Sequence, residues 1–144
     1  MSVIFSRQCE YALQAILLLA QKKEGSTMSI RELARRLGIP YHFLAKIFQD
    51  LTHKGLLKSS RGPNGGFSLA KPASKITLQQ IITAIDGDHL VQDCVLGLDK
   101  CSSDHPCAFH ESWLSARQGL SVFLTKEHLD HMTDPRRKLE HRGR

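Results

Sequence analysis

The run CVLGLDKCSSDHPCAFH, Cys94 to His110, gathers three of the chain's four cysteines and two of its eight histidines. Gly97 and Pro106 interrupt it, and no helical or strand period runs through it, which is not how thiols are placed to pack a core. The spacing is Cys94-x6-Cys101-x5-Cys107-x2-His110. A single zinc ion is usually gripped by ligand pairs about two to four residues apart, because a short loop wraps one tetrahedral ion. The longer gaps here suit a larger object whose iron atoms lie further apart, so an iron–sulfur cluster on soft thiolates is the favoured reading. A zinc site and cluster-free redox thiols are the alternatives that spacing leaves open. Cys9 lies far from the loop, within an apolar helical pattern, and reads as a small buried residue.

A loop of this kind needs a frame. At 144 residues the chain fits one domain with a real core, of ordinary composition at 41% hydrophobic and 24% charged. No run reaches the about 18 apolar residues of a membrane span, and AILLLA (Ala15–Ala20) lacks the flank of a secretory signal, so the expectation is a cytoplasmic protein with no membrane partner. Structural disulfides are rare in that compartment, which again points the clustered thiols toward metal or redox chemistry. The net charge of +6 is unevenly spread. Residues 1–87 carry 12 Lys/Arg against 5 Asp/Glu, residues 88–133 carry 3 against 7, and residues 134–144 carry 5 against 2. A basic first part favours a polyanionic partner through counterion release.

The first part also has the pattern of a DNA-reading module. SRQCEYALQAILLLAQKKEG reads as a buried amphipathic helix, capped by Ser6 and stopped at Gly25. Ser29, with Glu32 three residues on, has the capping-box pattern for a short helix with Ile30, Leu33, Ala34 and Leu37 on its apolar face. Gly38 ends that helix and Pro40 opens another, in which Phe43, Leu44, Ile47, Phe48 and Leu51 point one way until Gly55. Two short helices about a tight glycine turn make a helix-turn-helix. The strand-like runs Leu56–Ser59 and Phe67–Ala70 flank RGPNGG and form a hairpin directly after it, which completes a winged helix. RGPNGG is no phosphate loop, since it sits between strands and no Lys-Ser/Thr pair opens a helix after it.

In such modules the second helix enters the major groove by its N-terminal side chains. That assigns Tyr41, His42 and Lys46 to DNA, with Ala45 too short to read more than a thymine methyl. Arg61 and Asn64 belong to the wing, and Ser29 at a helix N-terminus is placed for a phosphate. Further on, ITLQQIITAI (Ile76–Ile85) reads as a helix capped by Thr77. Trp113, Ala116, Leu120, Phe123 and Leu124 recur at helical spacing, as a dimer seam or as packing on their own domain. Thr125–Met132 reads as a short terminal helix, and the polar tail from Asp134 as disordered. No Ser/His/Asp or paired-carboxylate arrangement stands out, so the chain does not read as an enzyme.

EYALQAILLLA, SIRELARRLGIPYHFLAKIFQDLTHKGLL and RGPNGGFSLAKPASKITLQQIITAIDG together resemble the IscR/NsrR-type winged-helix regulators, the Rrf-two family, over about Phe5 to Leu129. The resemblance implies a mainly α fold with a small β-hairpin wing and a long C-terminal dimerisation helix. It divides the chain into a DNA-binding region (1–87), a cluster-binding loop (88–110), a dimerisation helix with a short terminal helix (111–133) and a basic tail (134–144). It implies a homodimer on double-stranded DNA, with the cluster-assembly machinery as a further partner, and a 2Fe–2S or 4Fe–4S cluster on Cys94, Cys101 and Cys107. For the fourth ligand it offers His110, matching IscR-like proteins, or Glu10 of the other subunit, matching NsrR-like ones; His110 is favoured as local to the thiols. The first gap is six residues where IscR has five.

Overall fold

The first helix, α1 (Arg7–Ala20), starts where the Ser6 hydroxyl accepts the backbone N–H of Cys9 at 3.1 Å. The computed structural model describes residues 4–99 and 101–132. Cys9, Ala12, Ala15, Ile16, Leu19 and Ala20 form one buried stripe, and the small side chains at 12 and 15 let neighbouring helices close in. The helix ends at Ala20 and not at Gly25, because Gln21–Glu24 offer no apolar side chain to continue the stripe.

The stripe packs on α2 (Ile30–Leu37) and α3 (Tyr41–His53), joined through Gly38, whose φ of 64° is the left-handed turn a side chain would resist. Ser29 accepts the Glu32 N–H at 3.1 Å as expected. Only half of the capping box forms, since the Glu32 carboxylate turns to Arg35 and Arg36 at 2.9 and 2.7 Å. Leu44, Ile47, Phe48 and Leu51 are buried, but Phe43 is 54% exposed, a correction to its expected place on the apolar face. At 100° per residue, Phe43 lies too far round α3 from the Leu44–Phe48–Leu51 line to share it.

The wing is the antiparallel pair β1 (Leu57–Ser60) and β2 (Gly66–Leu69), with Leu57 opposite Leu69 and Ser60 opposite Gly66. Both strands start one residue away from expectation. Leu56 still donates its N–H to Leu51 and so closes α3, while Gly66 already pairs. Phe67 meets Phe48 edge-on at 5.2 Å, which fixes the wing on the reading helix.

Thr77 caps α4 (Leu78–Asp86) with a complete capping box, its partner being Gln80. One turn of helix, α5 (His89–Gln92), follows inside the range expected as cluster-binding loop. After the cysteine loop comes α6 (His110–Lys126), in which only His110 and Leu124 are buried. Leu124 closes a second small core with Cys9, Leu78 and Ile82. The expected helix over Thr125–Met132 is different: α6 runs to Lys126, His128 bridges Thr77, and Leu129–Met132 is a 3-10 turn whose Leu129 is fully buried. The competing backbone pairing, Leu78 N–H to Glu127 and Leu129 N–H to Ile76, breaks the helical ladder there. The tail assigned as disordered lies outside the described residues, and among those described no helix is long and apolar enough to cross a membrane.

Candidate nucleic-acid interface and cysteine site

The reading head presents its assigned residues on one module. Tyr41, His42 and Lys46 are exposed at the start of α3, Tyr41 and His42 touching edge-on at 5.6 Å. Ala45 is half-buried, and Phe43 joins the exposed set instead. Arg61 and Asn64 are exposed at the wing tip, and Ser29 is exposed at the start of α2. Arg35 and Arg36 share Glu32, whose carboxyl they hold below its usual range, so their charge is partly answered within α2.

The sequence missed how the wing is held. Met28 and Phe67 exchange both backbone hydrogen bonds, at 2.9 and 2.8 Å, and the Thr27 hydroxyl donates to the Asn64 carbonyl at 2.9 Å. A β-carbon on Gly66 would fall 2.6 Å from the Met28 carbonyl oxygen, at a φ of 149°. Glycine at 66 is therefore what allows the loop before α2 to lie against the wing.

The cysteine loop brings its donors together in two pairs. Cys101 Sγ lies 3.6 Å from His110 Nδ1, with His110 buried in the first turn of α6. Cys107 stands near enough to Cys94 to act on its thiol, and Cys94 is itself buried. The Cys94 thiol is held below its usual range mainly by the backbone N–H of Leu96, helped by those of Leu98 and Gly97 and by Cys107, against the effect of burial. Among the described residues no three His, Cys, Asp or Glu side chains converge to hold one ion. A cleft of about 530 Å³ opens beside Cys94, lined among others by Phe5, Asp86 and Trp113.

Glu10 is half-buried on α1, one residue from Cys9. Cys9 is fully buried and its thiol is pushed up to about 12, first by burial, then by the charge and hydrogen bond of Asp86 and the charge of Glu10. A thiol so placed is inert, in keeping with its reading as a core residue. Asp86 also binds both the backbone N–H and the hydroxyl of Ser6, tying the end of α4 to the start of α1. Two further side chains went unforeseen: Trp113 Nε1 donates to the Asp93 carbonyl at 2.9 Å and Arg117 to the Gln92 carbonyl at 3.1 Å. A signal for both was available, since Trp113 is the chain's sole tryptophan and Arg117 one of three cations in the acidic stretch 88–133.

A helix-turn-helix with a hairpin wing bound to it, the polar residues at the start of its second helix and at the wing tip exposed, has the form of a winged-helix DNA-binding regulator. The comparisons agree. The family model Rrf2, described as an iron-dependent transcriptional regulator, matches residues 5–135. The HTH-type transcriptional regulator IscR of Escherichia coli O1:K1 / APEC is 31% identical over 134 residues, 93% of this chain and 82% of that protein. The solved structure of Bacillus subtilis CymR, a global cysteine regulator, has a TM-score of 0.76 at 24% identity, covering 92% of this chain and 97% of that one. That of T. potens IscR has a TM-score of 0.71 at 25% identity, covering 92% and 85%. The chain belongs to the Rrf2 family, the Rrf-two family of the resemblance above, and is a transcriptional regulator, not an enzyme.

Proposed function

We propose that this regulator's affinity for its operator is set by an iron–sulfur cluster held by Cys94, Cys101, Cys107 and His110, in response to redox state, nitric oxide or iron–sulfur status. The observation that carries the reading is the 3.6 Å approach of Cys101 Sγ to His110 Nδ1 within the loop that also holds Cys107 and the buried Cys94. Three thiols and an imidazole separated by gaps of six and five residues suit a group larger than one ion, and hydrogen bonds to the sulfurs, such as the backbone N–H of Leu96 on Cys94, are among the features that tune such clusters. His110 is favoured over Glu10 because it already lies beside a thiol. When bound, the cluster supplies one-electron chemistry and reactivity toward oxidants.

The chain's own residues do the rest. Tyr41, His42, Phe43 and Lys46 meet the major groove, with Phe43 suited to a thymine methyl. Arg61, Asn64 and Ser29 contact the backbone or minor groove. A homodimer on α6 would give two reading heads, and the exposure of Val122 and Phe123 at about half supports a face for a second copy there. Change in the Cys94–His110 loop then alters how the two heads are spaced, a coupling of about 1–3 kcal/mol in families of this kind of switch.

A cluster-free thiol sensor is the second reading, favoured by the contact between Cys107 and the acidified Cys94. The deciding experiment measures affinity for a DNA site selected from random duplexes, with protein loaded and unloaded with cluster, reduced and oxidised. A loaded-to-unloaded difference supports the cluster; a difference only on thiol oxidation, in protein that takes up no iron, supports the second reading.

A further inference from the structure

We infer that Trp113 and Arg117 are positioning residues that latch α6 onto the segment entering the cysteine loop, and that this latch sets the placement of Cys94. Residues 113 and 117 are one turn apart on the same face of α6. The indole N–H donates to the Asp93 carbonyl at 2.9 Å and the guanidinium to the Gln92 carbonyl at 3.1 Å. These carbonyls close the single turn α5, whose own backbone bonds include Gln92 N–H to Asp88 at 3.1 Å and Asp93 N–H to His89 at 2.9 Å. A one-turn helix leaves its C-terminal carbonyls without internal partners and its end partly negative, so an indole N–H and a cation there satisfy both needs. Cys94 is the next residue, and it is buried although Val95, Leu96 and Leu98 after it are about half exposed. The loop's own apolar side chains therefore do not hold Cys94 in place.

The same face of α6 begins at His110, one turn before Trp113, and His110 lies 3.6 Å from Cys101. One helix face thus holds the loop at two places: its middle, through His110 on Cys101, and its entry, through Trp113 and Arg117. Further along, Leu124 anchors α6 in the core shared with Cys9 and Ile82. A change in the loop is passed to α6 as a pull on this face, and loosening the latch uncouples the two.

The part of this inference that concerns cluster lifetime rests on the reading of Cys94 as a ligand; the placement of Cys94 does not. The test therefore uses the full-length protein in two arms. In the first, reduced cluster-free protein is alkylated with iodoacetamide, and each cysteine is followed by peptide mapping in wild type, Trp113→Phe and Arg117→Met. Each variant removes one donor, so Cys94 should be alkylated about fivefold faster in both, while Cys9 stays unmodified as the marker of an intact core. A Cys94 rate that stays within about twofold of wild type in either variant, or Cys9 rising in parallel, overturns the latch. In the second arm, cluster-loaded protein is exposed to an iron chelator and loss of the visible band is timed. Loss several-fold faster in both variants is expected, and equal lifetimes would overturn the link to the cluster. A wild-type chain that takes up no cluster would refute the function proposed above and leave the alkylation result to decide the latch.

Discussion

The reading head and the cysteine loop are built by opposite means. The head is held by a continuous core in which Leu33, Leu44, Phe48 and Leu51 are fully buried between α1, α2, α3 and the wing. The loop has almost no core: Cys94 and His110 are buried, while Val95, Leu96, Leu98 and Phe109 stand about half exposed. What orders it is a handful of hydrogen bonds from α6 and from its own backbone. Close-packed interiors resist small rearrangements, whereas a segment held by few polar contacts can change state at modest cost. The difference separates a close-packed part of fixed shape from a part that, on the function proposed above, can respond.

The largest expected effect comes from breaking the head. Phe48→Ala removes a fully buried ring that also meets Phe67, and should cost about 3–5 kcal/mol by urea unfolding. A cost under about 1 kcal/mol would mean the head is not the rigid part. Next, Gly66→Ala forces a β-carbon against the Met28 carbonyl and should push the wing off the loop before α2. We expect DNA affinity to fall by about 1–3 kcal/mol with the loop's thiol reactivity unchanged. Binding measured by fluorescence anisotropy, beside thiol alkylation rates, would sharpen the separation between the two regions.

A smaller effect follows from Arg61→Ala at the wing tip. Affinity should fall about tenfold and the slope of log affinity against log salt should drop by about one, as for the loss of a single phosphate contact. An unchanged slope would remove Arg61 from the interface. The smallest is a pH effect at the seam between the regions. Cys9 is raised from 9.0 to about 12 in the folded chain, so its contribution is complete below pH 9 and is lost as pH rises toward 12, where only the folded form keeps the proton. Between pH 9 and 10 wild type should lose about 1 kcal/mol more stability than Cys9→Ala. Parallel profiles in chemical unfolding would show that Cys9 ionises normally.

What could be read from the sequence follows the same division. Caps and turns at Ser6, Ser29, Gly38 and Thr77 stand where expected, because each is decided by its immediate neighbours. Phe43 lies too far round α3 from the buried line, and α1 stops where Gln21–Glu24 offer no apolar side chain, so both departures follow from local patterns that a finer reading of the sequence would have weighed. The stripe from Trp113 splits: Leu124 is buried, Leu120 and Trp113 half-buried, and Ala116 and Phe123 exposed. Periodicity alone could not divide it, since it reports a helix face and not its partner. In the loop, spacing gave candidate ligands but not the approach of Cys101 to His110, and the bonds of Trp113 and Arg117 run to backbone carbonyls that carry no residue type.

The central claim is that this loop holds an iron–sulfur cluster. It is tested most directly by iron and sulfide content, with visible absorption and circular dichroism, on wild type and His110→Ala purified without oxygen. Wild-type protein is expected to be brown with matched iron and sulfide, and His110→Ala to lose the band or show it markedly altered. Colourless wild-type protein that also refuses reconstitution with iron and sulfide would contradict it.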